Sequence, residues 1–147
     1  MKRIFFAAAA FALAGTAVLA QSDPIAARIA MMKGVGAAFY RDMGSINKGE
    51  APYDNAKVMA ALKKISESAK ALPALYPDTA KTGGDTEALP KIWDNKADFD
   101  ARYMKLSQDA EAALTKITDE ASLKAAYVDL NKNCSGCHEL YRAKKQK

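Results

Sequence analysis

The chain has 147 residues, 22 basic and 17 acidic, for a formal charge of +5 at neutral pH. The excess is mild and no basic stripe with interleaved aromatic residues accompanies it, which argues against a nucleic-acid partner. A single histidine also leaves little for acid–base or nucleophilic catalysis, so no enzyme is expected.

Residues 1–20 read as a secretory signal peptide. Lys2 and Arg3 supply the positive start, Ile4 to Leu19 the apolar stretch, and Val18-Leu19-Ala20 the small residues for cleavage. The run is short for a membrane span and no stop-transfer charges follow it, so no span is expected in the mature chain. Residues 21–147, beginning at Gln21, are expected to form one domain. Without Lys2 and Arg3 the balance is 20 basic against 17 acidic residues, or +3.

Four stretches carry apolar residues in alternating steps of four and three, the period of helices packed lengthwise. The first seam is Ile25, Ile29, Met32, Gly36, Phe39, Met43, Ile46, opened by Asp23-Pro24. The second is Val58, Leu62, Ile65, Ala69, Leu72, ending before Pro73. The segment from Pro73 to Trp93 is long, and Leu75, Tyr76, Leu89, Ile92 and Trp93 suggest that it packs down to cover something. A third seam, Phe99, Tyr103, Leu106, Ala110, Ala113, Ile117, is expected to be capped by Asp94. The fourth is Leu123, Tyr127, Leu130, Cys134, Cys137, Tyr141. Short links at 47–54 and 118–122 make neighbours antiparallel, so the predicted fold is an all-α, up-down-up-down four-helix bundle.

Cys134-Ser135-Gly136-Cys137-His138 spells C-x-x-C-H, the pattern that attaches a c-type haem, and His138 is the only histidine. The thiols of Cys134 and Cys137 add to the porphyrin vinyl groups, and the imidazole that follows is placed to bind iron. A dithiol redox pair would call for a βαβ context, which is missing. Zinc would need further ligands, and a disulfide would close too small a loop to stabilise much. Both cysteines sit on the fourth seam, which puts one covalent haem c inside the bundle near its end.

The first and last helices of such a bundle are antiparallel. His138, taken as about seven residues before the end of its helix, lies roughly 10 Å from that end; Met32, eight residues after Pro24, lies roughly 12 Å in. Met32 is therefore the expected distal ligand to His138 as proximal ligand. Met43 lies about 16 Å further along and Met31 points about 100° away. Met59 belongs near the other end, and Met104 stands beside its seam.

These features resemble the class II cytochromes c, the cytochrome c′ group. Arg28 to Met32 matches R-x-x-x-[M/L], Lys48 to Asp54 matches the first loop, and Cys134 to Arg142 matches C-x-x-C-H-x-x-x-R. The resemblance implies that Arg28 lies near the haem propionates and Arg142 near the proximal histidine. It implies two branches: a five-coordinate, high-spin form crowded distally, and a low-spin form with methionine bound. Met31-Met32-Lys33 and Leu89 to Trp93 look more like the low-spin branch. Homodimers through the first two helices are implied too, though no feature of this sequence points to one.

The expected function is single-electron transfer in the periplasm, with redox partner proteins of unknown identity and His/Met ligation at the iron. The alternative is five-coordinate binding of a small diatomic gas, nitric oxide or carbon monoxide. Lys144, Lys145 and Lys147 form a basic tail able to steer an acidic partner.

Overall fold

The computed structural model describes residues 23–144; the signal expected over 1–20 and the end of the basic tail, 145–147, lie outside the described residues. Asp23 accepts the Ile25 amide at 2.9 Å with Pro24 behind it, and α1 runs Pro24–Gly36. The chain then widens into a π-helical stretch, Ala37–Met43, and closes as α2, Gly44–Asn47. Asp54 caps α3, Asn55–Ala71, by accepting the Lys57 amide. α4, Lys91–Asp94, and α5, Lys96–Lys116, meet at Asn95. α6, Glu120–Tyr141, opens with a reciprocal Asp119–Ser122 capping pair.

α3 packs most extensively on α5, α5 packs on α6, and α1 on α3, while α2 meets α6. The rod formed by α1, the π stretch and α2 therefore runs antiparallel to α6, and the bundle is up-down-up-down. The seams supply its core: Phe39, Met43, Ile46, Val58, Leu62, Ile65, Leu72, Phe99, Leu123 and Leu130 are all buried. Among the described residues no helix is long and apolar enough to cross a membrane.

Three expectations need correction. The first helix is not uniformly α-helical: its turn widens over the stretch in which Phe39 stacks on Tyr127 of α6, with ring centroids 4.2 Å apart and planes 9° from parallel. Asp94 does not cap α5: the turn that begins after Pro90 takes Asp94 into α4, and Asn95 stands at the junction with no side-chain cap bond. α6 ends only three residues after His138, because Arg142 leaves helical geometry and bridges to Ala88. The histidine is thus about 4.5 Å from its helix end, not 10 Å.

The segment from Leu72 to Pro90 packs down as expected. It forms 3₁₀ turns at Leu72–Leu75 and Asp78–Ala80, buries Tyr76 and Ala80, and reverses at Gly83 and Gly84, both in the left-handed region at φ 110° and 53°. It returns to α6 through Leu89 N–H to Tyr141 O at 3.0 Å and Ala143 N–H to Glu87 O at 2.8 Å.

Gly44 is the tightest crossing of the bundle: a Cβ there would stand 3.0 Å from the Tyr127 hydroxyl and 3.3 Å from the Phe39 carbonyl. Gly44→Ala should therefore destabilise the fold by about 1–3 kcal/mol, although alanine is intrinsically the better helix former by about 1 kcal/mol. Tyr127→Phe should recover part of that loss, read by denaturant unfolding. Elsewhere, Asp98 near the start of α5 accepts from Arg102 Nε at 2.7 Å and from the Tyr141 hydroxyl of α6, and these bonds, Arg102's first, hold its carboxyl below the usual range. The stabilisation is complete above the unfolded carboxylate pKa of about 4 and fades as pH falls through the lower folded value. The stability gap between wild type and Asp98→Asn should accordingly be widest near neutral pH and close in acid.

Candidate haem site

One cavity of about 590 Å³ lies between α1, α5, α6 and the covering segment. Its size falls in the range of cofactor pockets. Cys134, Cys137 and His138 line it from α6, and Arg28, Ile29, Met32, Val35 and Gly36 from α1. Phe99, Tyr103 and Leu106 line it from α5, and Tyr76, Thr86, Glu87 and Ala88 from the cover. All the residues singled out in the sequence for haem and iron, Cys134, Cys137, His138, Met32, Arg28 and Arg142, thus border the same space. Met31, Met43, Met59 and Met104 do not, so Met32 is the only methionine lining the cavity among the described residues.

The cysteines lie in the interior of α6, one turn apart, both free and half-buried. Burial pushes their thiols up to about 11. A dithiol exchanger depends on a stabilised thiolate, which this environment withholds. Among the described residues no group of three or more His, Cys, Asp or Glu is gathered for a metal, which leaves zinc without a donor set. Burial, and secondarily the Arg142 charge, holds His138 below the ordinary imidazole pKa. The imidazole is therefore kept neutral with a lone pair available for a metal.

Arg28 is 2% exposed. Its Nη1 donates to Leu75 O at 3.3 Å and Ala80 O at 2.9 Å, and its Nη2 to Thr86 Oγ1 at 2.7 Å. The guanidinium also lies 4.6 Å from the Tyr76 ring centroid. Every one of these partners is neutral, and no carboxylate pairs with Arg28 among the described residues. A buried cation on a cavity wall without a counter-charge is matched to an anionic ligand. Haem, apolar across its face and carrying two carboxylates, fits this lining. Arg142 is more exposed, 3.6 Å from Glu87 at the other side of the cover, and its charge reaches His138.

Sequence reading missed the polar trim of the cavity. Tyr103 entered only as a seam residue, yet its hydroxyl donates to Met32 Sδ at 3.7 Å and lies 3.4 Å from the Tyr76 hydroxyl. A tyrosine on an apolar seam was the available signal, because a buried phenol needs a partner for its O–H. Arg102 and Thr86 offered no such pattern.

A family profile described as Cytochrome C′ matches residues 23–142. The chain is 49% identical over 127 residues to a cytochrome c′ of Rhodopseudomonas palustris, covering 86% of each chain. The solved structure of cytochrome c′ from that organism superposes with a TM-score of 0.83 at 48% identity, over 86% of this chain and all of the other. A cytochrome c-556 of Agrobacterium tumefaciens is 47% identical over 120 residues, 81% of this chain and 94% of its own. A nitric oxide complex of a cytochrome c prime variant from Alcaligenes xylosoxidans matches at TM-score 0.72 and 25% identity, over 82% of this chain and 94% of the other. With its C-x-x-C-H motif opening on the cavity, the chain belongs to the cytochrome c′ family of class II cytochromes c, four-helix bundles that carry covalent haem c.

Proposed function

We propose that this protein is a periplasmic electron carrier of the low-spin branch, with His138 as proximal and Met32 as distal iron ligand. The observation that supports this reading is the position of Met32: it is only partly buried, lines the same cavity as His138, and its sulfur accepts a hydrogen bond from Tyr103. Cys134 and Cys137 would hold the haem as thioethers, Arg28 would receive its propionates, and Arg142 would bias the proximal imidazole. The iron supplies reversible one-electron chemistry, and a thioether ligand favours its reduced form.

The chain's own residues account for the rest. The apolar walls, Ile29, Val35, Phe39 and Leu106, exclude water, which limits the reorganisation that accompanies a change of charge. The buried guanidinium would offset the propionate charge, and the pairing would recover part of what burying Arg28 costs. Arg142, placed where its charge already lowers the His138 pKa, opposes imidazolate character and so raises the potential. The chain's single histidine is committed to the iron in this reading, which favours a carrier over an enzyme. Export through residues 1–20, followed by a single domain over 21–147, completes the reading.

A second reading is favoured by the relatives: a cytochrome c prime seen with nitric oxide, and another named cytochrome c′, match this chain. In that reading Met32 would stand aside from the iron, and the apolar wall beside it, Val35 and Phe39, would sieve small gases such as nitric oxide or carbon monoxide.

The absorption spectrum of the purified holoprotein should be low-spin when reduced, with a weak near-infrared sulfur–iron band when oxidised. Met32→Ala should abolish that band and give a high-spin spectrum that shifts on adding carbon monoxide; an unchanged low-spin spectrum would assign the ligand elsewhere. Intact mass of protein expressed with haem-attachment machinery should correspond to a chain starting at Gln21 plus one haem, and conversion of Cys137 to Ala should leave a single thioether link.

A further inference from the structure

Met32 does not meet the cavity alone. Tyr103, 6% exposed on α5, directs its hydroxyl at Met32 Sδ across 3.7 Å, and the Tyr76 hydroxyl stands 3.4 Å from that of Tyr103. A phenol has one proton to give. With the Tyr103 proton committed to sulfur, the Tyr76–Tyr103 contact has only one polarity left: Tyr76 donates and Tyr103 accepts. The two hydroxyls form a directed chain from the cover, through α5, to the thioether of α1.

The chain has a fixed far end. Tyr76 lies under the Arg28 guanidinium, 4.6 Å from its ring centroid, and its own backbone carbonyl accepts the Trp93 indole N–H at 3.2 Å. A cation over a phenol ring draws electron density from it and makes the O–H a better donor. Hydrogen bonds in such a series polarise one another. Tyr103 is thereby a stronger donor to sulfur than an isolated tyrosine.

We propose that Tyr103 is a positioning residue for the distal ligand, and that the Tyr76–Tyr103 hydroxyl chain weakens the Met32 thioether as a ligand by drawing on its second lone pair. A sulfur that shares electron density with a proton donates less to oxidised iron. The reduced state gains relative to the oxidised one, and the methionine becomes easier to displace by a small gas. One pair of hydroxyls would then set where this chain stands between an electron carrier and a gas binder. The inference rests on Met32 as distal ligand.

The test uses the holoprotein. The sulfur–iron band of the wild type, measured first, reports the ligand assignment; its absence would overturn that assignment and this inference together. With the band present, Tyr103→Phe keeps the ring and removes only the donor. The oxidised state should then gain by about three- to tenfold in the midpoint equilibrium, the magnitude of one hydrogen bond. The sulfur–iron band should shift in energy, and carbon monoxide should bind the reduced protein more weakly. Tyr76→Phe, which leaves the Tyr103 donor in place but unpolarised, should move all three readouts in the same direction by less. An unchanged potential and band in Tyr103→Phe, a shift toward the reduced state, or conversion to a high-spin spectrum would each overturn the inference while leaving Met32 as ligand in the wild type. Circular dichroism on both variants separates these outcomes from loss of fold; if Tyr103→Phe does not fold, a null result in Tyr76→Phe overturns the directed chain.

Discussion

A guanidinium cannot leave water without acceptors, and the fold around the cavity follows from how Arg28 finds them. Its three partners, Leu75, Ala80 and Thr86, are spread along the segment that connects α3 to α4. Binding them pulls that segment across the mouth of the space between α1, α5 and α6. The buried charge therefore serves two purposes at once. It folds a stretch that has little regular structure of its own, and it leaves a positive centre facing the cavity. A neutral residue there would leave two backbone carbonyls unpaired; a carboxylate partner would remove the reason for an anionic ligand.

The bundle itself was legible because its seams obey the helical period: Phe39, Leu62, Phe99 and Leu123 are buried where the pattern put them. The site residues were legible for a different reason. A motif five residues long spans little more than one turn of the helix that carries its seam, and antiparallel packing leaves little choice about which part of α1 faces it. The height estimate for His138 was nonetheless too long, since nothing in the seam signals that α6 stops at Tyr141. That end is set by pairing with Ala88, a contact between residues more than fifty apart, which local pattern cannot reveal.

The other failures have the same origin. Asp94 looks like a cap on chemistry alone, but Pro90 starts a turn early enough to absorb it. The π stretch coincides with a ring from another helix stacked on Phe39, a contact that the pattern of Ala37 to Met43 does not reveal. Tyr103 reads as apolar bulk because its ring fits a seam, and Tyr76 as one of the residues that pack a long segment down; the meaning of their hydroxyls depends on what stands across the bundle. Periodicity reports which face of an element is buried. It does not report which polar atoms meet once the faces are joined.

The pairing of 87–89 with 141–143 bears on the order in which the molecule assembles. Residues 141–143 follow everything they fasten in the sequence, so the cover, tied to α1 through Arg28, lacks its second anchor until the end of α6 is in place. Until then Cys134, Cys137 and His138 face an open side. The topology thus ties closure of the cover to completion of the helix that carries Cys134, Cys137 and His138, with residues 141–143, three to five beyond the histidine, making the join.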